Sequence, residues 1–233
     1  MGFIERENKI YAKILSDGTL RIPTMENDPE AVKRVVDMTD GSKKTFIEQV
    51  KQGIQGKIES IYFKEMDFGK MINLVFALEA GERDQIVLSM NCTSNFATDI
   101  MEKLPNLDIN REISLSPWAM TKDNGKTSKG VAVWQTPEGA EEGTAKAKVT
   151  SFFKEYKEGE KRPTIKNGFP TPKGEGKGFD KDDWKMYFTE VKKFLVKHTE
   201  DNIIPNLEFD VEKAVPAEGE EKKEEKDVDQ IPL

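Results

Sequence analysis

Across residues 56–135 the apolar positions alternate in short runs, with one interruption. Ile58, Ile61 and Phe63 mark a first strand, and Asp67-Phe68-Gly69-Lys70 a turn after it. In residues 71–78, Ile72, Leu74, Phe76 and Leu78 recur at every second position, the pattern of a strand with one buried face. A turn at 81–84 leads into a third strand, 85–90. Residues 94–104 change period, and Phe96, Ala97, Ile100, Met101 and Leu104 share one side of a predicted helix. Ile113 and Leu115 resume a strand over 112–116. Asp123-Asn124-Gly125-Lys126 predicts a tight turn, because Asn and Gly accept positive φ. In the fifth strand, 130–135, Val131 and Val133 alternate with Ala132 and Trp134; with the valines inside, Trp134 faces out.

The flanks read differently. Apolar alternation over 9–15 and 20–25 surrounds Ser16-Asp17-Gly18-Thr19, a hairpin signal. Pro29 suits the first position of a helix through Ala31, Val32, Val35 and Val36, while the β-branched residues suit a strand equally. Residues 45–52 give another strand. The first fifty-odd residues therefore add β structure that extends or covers a sheet edge. Beyond 135 comes a loop. The next stretch, 144–156, mixes strand and helix periods, and 157–178 holds Pro163, Pro170, Pro172 and five glycines, which rules out a core strand. Residues 180–198 are the clearest helix. Trp184, Tyr187, Phe188, Val191, Phe194, Leu195 and His198 form a packing stripe, and Asp180 stands as its cap.

Five short strands with a helix between the third and fourth is the order of an OB barrel. The expected fold is mainly β with flanking helices: a five-stranded OB-type barrel with an N-terminal β extension and a C-terminal helix. Residues 1–55 are the extension and 56–135 the barrel. Residues 136–214 are an insert and helix of the same domain, and 215–233 an acidic tail expected to be disordered.

Composition narrows the function. No stretch approaches the roughly eighteen apolar residues of a membrane helix, and the opening Met1-Gly2-Phe3-Ile4-Glu5-Arg6 has no signal-peptide core. Arg6 stands where a myristoylation signal needs Ser or Thr. A lone cysteine, Cys92, excludes an internal disulfide framework and fits a reducing compartment. The expected location is the cytoplasm, that of the host cell if the protein is viral. The lone His198 argues against a histidine metal site or triad. No phosphate-binding loop or zinc-protease motif occurs, and Cys92 reads as a buried small side chain. No catalytic residue, metal or cofactor is expected, and the chain is not read as an enzyme.

The net charge of −7 argues against a nucleic-acid ligand until its distribution is considered. Residues 216–233 carry seven acidic residues against three lysines, and residues 114–173 carry eleven basic against seven acidic. Binding a single strand needs cations for phosphates and exposed rings for bases. The candidate rings are Tyr62, with Phe63 on the opposite face of the same strand, and Phe68, Trp118 and Trp134. The candidate cations are Lys70, Lys122, Lys126, Lys129, Lys146 and Lys148.

The last residues, Asp227-Val228-Asp229-Gln230-Ile231-Pro232-Leu233, resemble the acidic tip of bacterial single-stranded-DNA-binding proteins. Asp227 and Asp229 match its acidic part and Ile231-Pro232 its apolar pair, while Leu233 stands where that family has Phe. The whole chain resembles more loosely the single-stranded-DNA-binding proteins of tailed bacteriophages, which combine one OB barrel, extra elements and an acidic tail. The resemblance implies sequence-independent binding of single-stranded DNA in replication, recombination or repair, with the tip recruiting replication or recombination proteins. A non-enzymatic protein-interaction module is the alternative. RNA stands beside DNA as a ligand, because no feature reads the 2′-hydroxyl. No reading of oligomeric state follows, and no membrane partner is expected.

Overall fold

The first hairpin forms as the Asp-Gly signal predicts. In the computed structural model, which describes residues 9–38, 40–77, 85–141, 143–160 and 162–207, β1 (Lys9–Ile14) runs antiparallel to β2 (Leu20–Pro23). Asp17 Oδ1 accepts the Thr19 N–H in the turn, and Gly18 has a φ of 81°. A Cβ at Gly18 would lie 2.5 Å from the nitrogen of Ala119, so only glycine lets this turn rest against a distant strand. The valine-rich stretch left open between helix and strand becomes β3 (Val32–Asp37), paired with β4 (Lys43–Lys51).

The middle of the chain follows its hydrophobic period. β5 (Ile54–Met66), β6 (Gly69–Ala77) and β7 (Gln85–Asn91) precede α1 (Asn95–Lys103), and β8 (Glu112–Thr121) and β9 (Thr127–Gln135) follow it. Ser94 caps α1 by accepting the Ala97 N–H at 3.1 Å. The β5–β6 register shifts between Ile58 and Ser60, an irregularity that bends a strand. β5 thereby serves two partners. Residues 54–57 pair with β8 and residues 58–66 with β6.

Among the described residues the protein is mainly β, with two α-helices. Its ten-stranded sheet has the order β10-β9-β8-β5-β6-β7-β1-β2-β4-β3, with β10 spanning Ala147–Lys148. This open sheet stands where a five-stranded barrel was expected. The five central strands keep the neighbours β9-β8-β5-β6-β7, but no ladder among the described residues joins β7 to β9. β1 instead lies parallel on the free edge of β7, from Lys9↔Gln85 to Lys13↔Ser89. An open strand edge carries unpaired N–H and C=O groups, and the N-terminal extension supplies their partners.

One face of the sheet and α1 enclose the core. Ala12, Ile61, Leu74 and Leu88 from neighbouring strands join Ile113, Leu115, Val131 and Val133 from the other half, with Ile100 and Met101 of α1. A second helix, α2 (Lys181–Asn202), starts at Asp180, whose carboxylate accepts the N–H groups of Asp182 and Asp183, while Asp183 accepts the Asp180 N–H. It buries Val191 and Leu195. The described residues of 144–178 contribute two-residue strands, β10 and the pair β11 (Lys154–Glu155) and β12 (Thr164–Ile165), and a 3₁₀ segment at Lys173–Gly176. Irregular backbone does not make this segment peripheral, since Phe153 and Phe169 are buried and Phe153 packs edge-on against Phe194 and His198. Leu78, the turn at 81–84 and the acidic tail 215–233, with its tip residues, lie outside the described residues.

Candidate nucleic-acid interface

Strand register decides which side chains share the face opposite the core. Ile61, Leu74, Leu88 and Ala12 point inward, so their neighbours one residue along point out. The ladders Tyr62↔Asn73↔Ser89↔Lys13↔Arg21 set these five side by side across β5, β6, β7, β1 and β2. At about 4.8 Å per strand the row spans about 19 Å. The next row on the same face carries Ser60, Val75, Val87 and Tyr11.

This face combines rings, amides and cations. Tyr11 and Lys13 are exposed and Tyr62 is half-buried, while Val75, Val87 and Asn73 are buried at its centre. The Ser89 hydroxyl donates to Asn73 Oδ1 at 2.5 Å, fixing the amide. Burial, and then the neighbouring Tyr11, push the Tyr62 phenol above its ordinary pKa, so it stays a neutral ring with a hydroxyl donor at physiological pH. Arg21 donates from Nε to Thr19 Oγ1 at 3.3 Å, but its buried Nη1 has no hydrogen-bond partner. Beyond Arg21 the face continues into Arg34, which forms a two-pronged bond to Glu48 at 2.8 and 2.9 Å and lies 4.7 Å from the centre of the Phe46 ring. The Arg34 guanidinium outweighs burial and holds the Glu48 carboxyl below its usual range.

The residues singled out from the sequence do not come together in one place. Tyr62 lies in the row just described. Phe68 is exposed in the β5–β6 turn, and Lys122 and Lys126 are exposed at the β8–β9 turn. Trp118, Lys129 and Lys148 come together along a groove beside α1. Trp134 is half-buried on β9, facing out as its parity predicts, between Ser114 on β8 and Lys148 on β10. Two lysines are already engaged. Lys70 binds Glu200 at 2.6 Å and lies 4.8 Å from the centre of the Phe63 ring, tying β6 to α2. Lys146 binds Glu112 at 2.9 Å and the Ser114 hydroxyl at 2.7 Å.

Tyr11, Lys13 and Arg21 were not among the residues singled out. The signal was present in the alternation of Tyr11 and Lys13 about the apolar Ala12, but a strand read as an edge cover gives no reason to look at its outer face. Cys92 is buried, and burial raises its thiol to about 11, which leaves it protonated and unreactive at neutral pH. No helix among the described residues is long and apolar enough to cross a membrane. Compared with protein-family models, curated proteins and solved structures, the chain matches none.

Proposed function

We propose that the chain binds single-stranded DNA without sequence preference and acts in replication, recombination or repair. The observation that carries this reading is the row Tyr62-Asn73-Ser89-Lys13-Arg21, with Tyr11 beside it, on a sheet face turned away from the core. Tyrosines stack on any base, and Lys13 and Arg21 neutralise phosphates, so a strand lying across the row is held by contacts that tolerate every sequence.

The strand order supports the same reading. The run of neighbours β9-β8-β5-β6-β7, with α1 between the third and fourth of these strands in chain order, resembles part of an OB barrel. We read them as an OB-type unit whose edge the N-terminal strands have extended. The oligonucleotide face of that fold lies over its second and third strands, here β6 and β7, where Asn73 and Ser89 sit. The acidic C-terminal tip, Asp227 to Leu233, is proposed as the ligand for replication or recombination proteins.

Fluorescence-anisotropy titration with oligothymidylate, against a duplex of equal length, tests the function. Single strands should bind more tightly, with affinity falling steeply as salt rises. Equal affinity for both forms, or none for either at low salt, overturns the reading.

A further inference from the structure

The edge of β9 beyond its short ladder with β10, the helix α1 and the segment from Lys148 to Tyr156 border a groove of about 350 Å³. Its two carboxylates are already matched. Asp99 accepts the Val131 N–H and pairs with Lys103 at 2.8 Å, and Glu102 pairs with Lys154 and accepts the Ser151 hydroxyl at 3.0 Å. Two further lining lysines, Lys129 and Lys148, form no ion pair among the described residues, so the groove keeps an uncompensated positive charge. Two rings border it, Trp118 at 40% and Tyr156 at 71% exposure. Flat apolar surface beside unmatched cations selects a ligand that is both planar and anionic.

We propose that this groove is a second subsite that holds one nucleotide of the bound strand. Lys129 and Lys148 take its phosphate, and its base lies against Trp118 or Tyr156. The inference rests on the single-strand reading and extends it to the far side of the β8–β9 hairpin. Volume suits the ligand, because small-molecule sites begin at about 300 Å³. Continuity suits it too. The β1–β2 turn at Gly18 rests on the main chain of Trp118 and Ala119, so the Lys13–Arg21 end of the sheet row adjoins the residue whose indole borders the groove. A strand leaving that end reaches Trp118 across the turn, without crossing the core.

The test uses the full chain, oligothymidylates of increasing length, and salt titrations. In the double variant Lys129→Ala/Lys148→Ala, long oligomers should lose about 0.7 of log–log salt slope per lysine. The shortest oligomers that bind, which cover the sheet face alone, should retain wild-type affinity. Tyr62→Ala should weaken every length. Trp118→Ala should weaken only the long oligomers, while Trp118→Phe, which keeps a stacking ring, should recover most of the loss. A double variant that follows the wild type at every length and salt, or loses equally at every length, overturns the subsite and leaves the sheet-face reading intact. A wild-type protein that binds no single strand overturns both.

Discussion

The carboxylate of Asp99 accepts the main-chain N–H of Val131 at 2.6 Å, and Lys103, one helical turn further on, donates to the carbonyl of the same residue. Two side chains of α1 thus complete the edge of β9 where a neighbouring strand would otherwise stand. Gly130 makes room for this. A Cβ there would lie 2.5 Å from Asp99 Oδ2 and 2.9 Å from the Trp118 ring. Asp99→Ala should therefore destabilise the protein by about 1–3 kcal/mol, since it strands a main-chain donor and a nearly buried ammonium. Asp99→Asn keeps an acceptor and should lose less. Urea unfolding measures both, and a wild-type midpoint for Asp99→Ala would show that the edge contact is dispensable.

Tyr62→Ala and Tyr11→Ala should each weaken single-strand binding by about 1–3 kcal/mol, the range for loss of a stacked ring. Tyr62 is half-buried, so its melting temperature must be read beside its affinity. Tyr11 is 48% exposed, and its removal should leave the melting temperature nearly unchanged. Trp134→Ala offers a contrast. Its ring sits between Ser114 and Lys148, and a fall in stability without a fall in affinity would assign it to packing.

Cations on the sheet face should separate from cations already paired elsewhere. Lys13→Ala and Arg21→Ala should each reduce the salt slope for single strands by about 0.7. Lys70→Ala and Lys146→Ala should leave it unchanged, because their ammonium groups are held by Glu200 and Glu112. Equal slopes for all four variants would remove the sheet face as the place where phosphates bind.

His198 gives the protein a pH-dependent stability with a definite sign. It packs against Phe152, Phe153 and Phe194, and burial there lowers its pKa below the ordinary 6.5, with Asp201 pulling weakly the other way. As pH falls, the unfolded chain takes up the proton first, so unfolding gains. This contribution is fully present above about pH 6.5 and is lost as pH drops through the folded pKa. His198→Phe should flatten the dependence of melting temperature on pH between neutrality and mild acid. A variant with the wild-type profile would place the titrating group elsewhere.

Local pattern made much of the fold legible. Ile72, Leu74 and Phe76 announce β6, the change to helical spacing at Phe96 announces α1, and Asp180 announces the start of α2. Partners distant in sequence were not legible, because a strand's period says which face is apolar and nothing about which strand lies alongside. Hence β1 was readable as a strand but its parallel docking on β7 was not, and with it went the meaning of Tyr11 and Lys13. Charge has the same limit. Lys70 and Lys146 look like free cations in the sequence, and only the folded chain brings Glu200 to one and Glu112 to the other. Conversely, the proline- and glycine-rich run conceals Phe169 as a core residue, because such a residue needs no regular element to carry it.

The parallel docking of β1 has a consequence in time. Parallel strands cannot be joined by a short hairpin, and the partner of Lys9 is Gln85. During synthesis the β1–β2 hairpin leaves the ribosome before its seat, which does not exist until β5, β6 and β7 have emerged and paired. The loop closed by that pairing encompasses five intervening strands, β2 to β6, so its entropy is lost before the contacts that repay it are made. The outer face that brings Lys13 beside Ser89 is therefore assembled late, by a strand made well before its partner.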